Sequence, residues 1–169
     1  MYREILVPLD GSERAEAVLP HVEELARRCS ATVTLLRVVA QPTVASGIVG
    51  SSLEEAQYQQ ELRHRKEKAT SYLATLQRKF LKKGVDVKAR LGEGPIAAAI
   101  VREAECEGAD LIALASRGRT GLSRIFFGSV AASVRHRSDR PLLVIRTRTP
   151  RAKTTPARAE GATTSSVRG

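Results

Sequence analysis

The sequence lacks the signatures of the common hydrolase classes. It contains no Gly-x-x-x-x-Gly-Lys-Ser/Thr loop, no Gly-x-Ser-x-Gly elbow and no catalytic Cys-His signature, which argues against a dedicated hydrolase. Its three histidines, His21, His64 and His136, fall at no spacing that would pair them with a metal-binding or nucleophilic partner, and they read as core or surface residues. Cys29 and Cys106 are the only cysteines, each within an apparently helical segment and neither in a Cys-x-x-Cys; buried or half-buried thiols are expected, not ligands. No run approaches the roughly 18 apolar residues that a membrane helix needs. The opening MYREILVPLDGS places Arg3, Glu4 and Asp10 where a signal peptide would need an apolar core, so a cytoplasmic protein without membrane contact is expected.

What is present describes an ordinary folded domain. At 169 residues, with 42% hydrophobic and 27% charged residues, the chain is long enough to bury a core without disulfides or metals. The net charge of +10 raises the question of a polyanionic partner, because clustered Lys and Arg neutralise phosphates. Its distribution argues the other way. Arg146, Arg148, Arg151, Lys153, Arg158 and Arg168 set against Glu160 put +5, half the total, into the last stretch of sequence. The part of it that follows Arg146, residues 147 to 169, is rich in Thr, Ser, Ala, Arg and Pro and poor in large apolar side chains, so it is expected to be a disordered basic tail behind a domain of residues 1–146.

Within that domain, apolar runs of strand length recur. Glu4 to Pro8, Thr32 to Val39 and Asp110 to Ala115 read as strands buried on both faces. Val85 to Leu91 alternates, and Leu142 to Ile145 follows Pro141, which suits a less central strand and a terminal one. Between the strands lie helical spacings. One starts after Ser12, with Ala15, Val18, Leu19, Val22 and Leu25 on one face, and one starts at Ser52. A third has Pro95 in its first turn and Gly108 as its stop, and the last begins near Gly128-Ser129-Val130. The charged stretch Gln57 to Lys83 reads as a long solvent-facing helix, and Gln41 to Ser51 as a mobile loop. Strand and helix alternate, so the fold expected is α/β: an open, doubly wound, five-stranded parallel sheet, Rossmann-like, with helices on both faces.

In such a sheet, ligands bind beyond the carboxyl ends of the strands, near the point where strand order reverses. After the fourth strand comes Ser116-Arg117-Gly118-Arg119-Thr120-Gly121, and further on Gly128-Ser129-Val130 at a helix start. Glycines let backbone approach an anion, free N–H groups at the helix start point toward it, and Arg117, Arg119 and Arg124 add positive charge. Together these describe a phosphate cradle. On the bland reading, Gly118 and Gly121 shape a turn and Ser129 caps a helix. Asp10 has two readings as well: a carboxylate that accepts from sugar hydroxyls, or a turn former that with Gly11-Ser12 begins the first helix.

The segment EGADLIALASRGRTGLSRIFFGSVAASVRHRSDRPLLVIR, with the opening ILVPLDGS, resembles the universal stress protein family over about residues 2 to 146. ATP-binding members of that family, whose fold is of the adenine-nucleotide α-hydrolase-like kind, share a Gly, two residues, Gly, nine residues, then Gly and Ser or Thr. Gly118 and Gly128-Ser129 match the second half of the pattern, and Ala115 stands at its first glycine. The resemblance implies a nucleotide site of Pro8, Asp10, Val38, Ala115, Arg117, Gly118, Gly128, Ser129 and Val130. Asp10 would lie against the ribose, the backbone of Val38 against adenine, and the glycines and Ser129 against phosphates. It further implies ATP as the ligand, little or no turnover with at most slow ATP hydrolysis, and a homodimer through the last strand, Pro141 to Arg146. Magnesium accompanies many bound triphosphates and is expected with ATP. The function expected is a nucleotide-dependent stress-response regulator; the alternatives are a ligand-free homodimeric interaction module of the same fold or, third, polyanion binding through the tail.

Overall fold

Glu4–Leu9 forms a strand whose two faces are both apolar, and both are covered: Ile5, Leu6 and Val7 are all 0% exposed. Ile5, Val7 and Leu9 enter one core and Leu6 the other, the alternation required of a strand packed on two sides. The computed structural model describes residues 1–39, 52–117 and 128–147. Its elements are β1 (Glu4–Leu9), α1 (Glu13–Glu16), α2 (Leu19–Cys29), β2 (Thr32–Val39), α3 (Ser52–Leu81), β3 (Val87–Glu93), α4 (Ile96–Cys106), β4 (Leu111–Arg117), α5 (Ser129–Arg137) and β5 (Leu142–Thr147). All strand pairs are parallel and the order is β3-β2-β1-β4-β5. Val18, Leu19, Val22 and Ala26, with Leu73, Leu76 and Phe80 of α3, cover one face of the sheet, while Ile100 and Ala104 of α4 and Ala131 and Val134 of α5 cover the other. This is the open, doubly wound, five-stranded parallel sheet expected from the sequence, with β3 and β5 at its edges.

Several boundaries differ from expectation. The single helix anticipated after Ser12 is two, α1 and α2, because Pro20 has no N–H for the Glu16 carbonyl and its ring crowds the preceding turn. The strand expected to end at Ala115 runs on to Arg117, since β5 pairs with it as far as Arg117↔Thr147. The third strand lies two residues later than its alternation suggested. The charged helix is not solvent-facing all round: Ala69, Leu73, Leu76 and Phe80 are buried on a narrow stripe spaced by three and four. Of the two thiols, Cys29 is half-buried but Cys106 is exposed. Gln41 to Ser51 and residues 148–169 lie outside the described residues. Among the described residues, no helix is long and apolar enough to cross a membrane.

Candidate functional site

Strand order places the site. The chain lays down β1, β2 and β3 in one direction and then returns to set β4 on the other side of β1, so the reversal falls between β1 and β4. Their ladder is short, with only Ile5↔Leu111 and Leu6↔Ile112 in register, whereas β1 stays paired with β2 to Leu9↔Arg37. Beyond Leu6 and Ile112 no pairing joins the two central strands, and β4 is held by β5 alone. Pro8 sits in this unpaired half, where a residue with no N–H costs the sheet no hydrogen bond. The carboxyl ends of β1 and β4 are therefore unjoined at the place where a doubly wound sheet forms its ligand crevice.

Asp10 stands at the β1 side of the crevice, exposed, at the start of the turn into α1. The Ser12 N–H donates to its Oδ1 at 2.9 Å and the Ser12 hydroxyl donates to the same oxygen at 2.5 Å. Ser12 Oγ in turn accepts from the Ala15 N–H at 3.1 Å and caps α1. Gly11 makes the turn possible with φ +77. Partial burial would raise the Asp10 pKa, but the two Ser12 bonds and the Arg37 guanidinium outweigh it, and the carboxyl titrates below the ordinary aspartate value of 3.8. The turn reading is the one seen in this geometry: both Ser12 donors use Oδ1, and among the described residues no other residue donates a hydrogen bond to Oδ2.

Val38 lies one residue beyond the last β1–β2 pair, opposite Gly92 of β3. From Val38 onward, the edge of β2 that faces β1 has no strand beside it, which is the condition for backbone contact with a flat heterocycle. Ala115 is a strand residue, paired with Ile145, and packs partly against the core under α2 and α3.

Next in the chain among the described residues, α5 begins at Ser129 with Gly128 as its N-cap, and no side chain caps it. Ser129 is thus an exposed first-turn residue and not the cap. The amides of Ser129, Val130 and Ala131 belong to the first turn, which has no partners inside its own helix. Gly128 has φ −52 and ψ 153, a conformation open to any residue, and a Cβ there would meet nothing within 4 Å among the described residues. Neither backbone geometry nor described packing calls for a glycine at this position.

Arg117 closes β4, and only its backbone is described; Gly118, Arg119, Gly121 and Arg124 lie outside the described residues. Two residues at the site escape sequence reasoning. Arg37 of β2 reaches across to donate from Nη1 to the Leu9 carbonyl at 3.2 Å. Tyr72 of α3 brings a buried hydroxyl that makes no hydrogen bond of normal geometry, and burial together with the neighbouring Glu16 carboxylate pushes its titration well above the ordinary phenol range. The signal for Arg37 was the one charge inside the apolar run TVTLLRVV; Tyr72 had none. Among the described residues no three His, Cys, Asp or Glu side chains gather to hold a metal.

Comparison with known proteins accords with this geometry. The model of the universal stress protein family matches residues 1–146. Universal stress protein MJ0577 of Methanocaldococcus jannaschii is 31% identical over 155 residues, covering 86% of this chain and 96% of that one. Its solved structure superposes with a TM-score of 0.73 at 30% identity, over 88% of this chain and 99% of that one. Two more distant structures share the fold. A universal stress protein in complex with cAMP has a TM-score of 0.60 at 22% identity, covering 87% and 99% of the two chains. The Archaeoglobus fulgidus universal stress protein in complex with dAMP has a TM-score of 0.54 at 22% identity, covering 85% and 98%.

Proposed function

The chain belongs to the universal stress protein family, and on that premise we propose that it binds an adenine nucleotide, ATP, in the crevice between β1 and β4 and acts as a cytoplasmic stress-response regulator with little or no turnover. Two groups support this reading. One is Asp10, whose Oδ2 accepts from no other described residue; the other is the amino end of α5, the helix that follows β4, capped only by a glycine that the described packing does not need. Sugar hydroxyls suit the first and phosphates the second. Val38 offers backbone beyond the end of β1 for the adenine. Adenine nucleotides in two solved neighbours of the same fold support the choice of ligand class, and Gly118 with Gly128-Ser129 supports ATP in particular.

Turnover is slight on this reading because, among the described residues, the first turn of α5 carries no carboxylate, and a general base must stand within hydrogen-bond reach of the proton it takes. We place the domain at residues 1–146 and treat 147–169 as an appended basic tail. Pro141 to Arg146 serves as the homodimer seam, since β5 is an edge strand of half-buried apolar residues whose unpaired side invites a second copy. Calorimetric titration of the purified chain with ATP, ADP and AMP tests the reading. Saturable binding that strengthens with phosphate number is expected, and no saturable heat with any of the three rules out the nucleotide role.

A further inference from the structure

Arg37 is an anomaly of the fold. It occupies a strand otherwise filled by Thr, Val and Leu, one residue from Leu36 at 0% exposure, and is itself half-buried. A guanidinium drawn partly out of water needs a return that an aliphatic side chain would not supply. The return lies in its contacts. Arg37 stands opposite Leu9 in the last pair of the β1–β2 ladder and donates to the Leu9 carbonyl, the final carbonyl of β1. A Cβ built on Gly11 would lie 3.6 Å from Arg37 Nη1 and 3.7 Å from Cζ and Nη2. The guanidinium therefore lies against the turn on both sides of Asp10, at Leu9 and at Gly11.

We propose that Arg37 is a positioning residue for Asp10, bracing the β1–α1 turn from β2 so that the carboxylate is presented in a fixed place to the nucleotide ribose. The inference rests on the nucleotide site proposed above. Among the described residues, the groups that face this turn are Asp10 itself and Arg37 from β2, with the Tyr72 hydroxyl of α3 and its neighbour Glu16 of α1 beyond them. Arg37 is the cation among these, and its attraction favours the charged form of Asp10. Its influence on Asp10 is long-range attraction added to the hydrogen bond it makes to the Leu9 carbonyl. A lysine would keep the charge but lose the flat fork that lies on Gly11.

The test titrates AMP into the full chain, as the parent, Arg37→Gln and Arg37→Lys, from neutral pH down to about pH 3, below the ordinary aspartate value. The ligand's own ionisation is common to all three, so differences between them belong to the protein. Arg37→Gln is expected to bind AMP about tenfold more weakly, the effect of losing one charge-assisted positioning bond, and its acid limb is expected to move to higher pH. Arg37→Lys should restore the limb toward the parent while recovering only part of the affinity. The proposal is overturned if Arg37→Gln matches the parent in affinity and acid limb, or if both variants lose affinity equally at every pH, as general damage to the fold would make them do. Should Arg37→Gln not fold, an acid limb in Arg37→Lys displaced as far as that of Asp10→Glu would overturn it equally, and an unmoved limb with reduced affinity would support it. If the parent itself binds no AMP or ATP, the site reading fails and this inference falls with it, a result distinct from failure of Arg37 alone.

Discussion

Replacing Gly128 with alanine separates a ligand role from a structural one. The backbone there, φ −52 and ψ 153, is one that alanine adopts without strain, and the added methyl meets no described atom within 4 Å. Less freedom in the unfolded chain favours alanine by about 0.4–1 kcal/mol. Alanine is a poorer N-cap than glycine, a loss of up to about 1 kcal/mol. The two offset, so the free protein should change in stability by less than about 1 kcal/mol, a few degrees in thermal midpoint for a domain of this size. Binding should behave otherwise. A phosphate drawn to the amides of Ser129 and Val130 must come within hydrogen-bond distance of backbone beside that methyl. Losing one charge-assisted bond costs about 1.5–3 kcal/mol, or roughly 10- to 100-fold in affinity. Thermal denaturation of the free variant and calorimetry with ATP read the two effects separately. Equal ATP affinity in parent and variant refutes the cradle, and a free variant destabilised by several kcal/mol refutes the claim that the glycine answers to nothing in the fold.

Three further outcomes follow from the same geometry. Ser12→Ala removes a helix cap and a donor to Asp10, and denaturant unfolding should find it about 1 kcal/mol less stable. Because the folded Asp10 pKa is depressed, its stabilisation is full above the unfolded value of 3.8 and disappears as pH falls through the lower folded value; in Ser12→Ala that acid-sensitive window should narrow, and an unchanged acid profile would contradict the cause assigned. Leu73→Ala, at 1% exposure on the apolar stripe of α3, should cost about 2–5 kcal/mol, whereas a cost under about 0.5 kcal/mol, the level of an exposed site, would mean that α3 is a surface helix after all. Val144→Lys adds charge to the half-buried edge strand β5, at a position packed into neither core cluster; on the proposed seam, light scattering should give a dimer for the parent and a folded monomer for the variant, and equal masses would contradict the seam.

The strands were legible because their apolar runs are continuous. EILVP and TVTLLRVV are buried on both faces, and no other placement of such runs is stable in water. Their extents were not legible, since β4 continues past Ala115 through its pairing with β5, a contact between segments far apart in sequence. Pro20 was in plain view, yet the apolar spacing from Ala15 to Leu25 runs through it and hides the break between α1 and α2. The stripe Ala69, Leu73, Leu76 and Phe80 is thin beside the Lys, Arg and Glu that flank it, so composition outweighed periodicity.

At the site, sequence marked Asp10, Gly128 and Ser129 but set turn against ligand and cap against ligand as rivals. The turn role of Asp10 uses one carboxylate oxygen, so it does not compete with the ligand role proposed for the other, and Ser129 lies inside the helix and is not its cap. Arg37 needed the structure, because only the register opposite Leu9 brings a β2 side chain onto the β1 turn.

The central claim is that one adenine nucleotide spans the gap between β1 and the amino end of α5, and a crystal structure of the full chain grown with ATP tests it most directly. The expected result is ribose hydroxyls on Asp10 Oδ2, adenine along the edge of β2 at Val38, and phosphate oxygens at the amides of Ser129 and Val130. A crystal in which saturating ATP leaves this crevice empty, or binds elsewhere on the chain, contradicts the account.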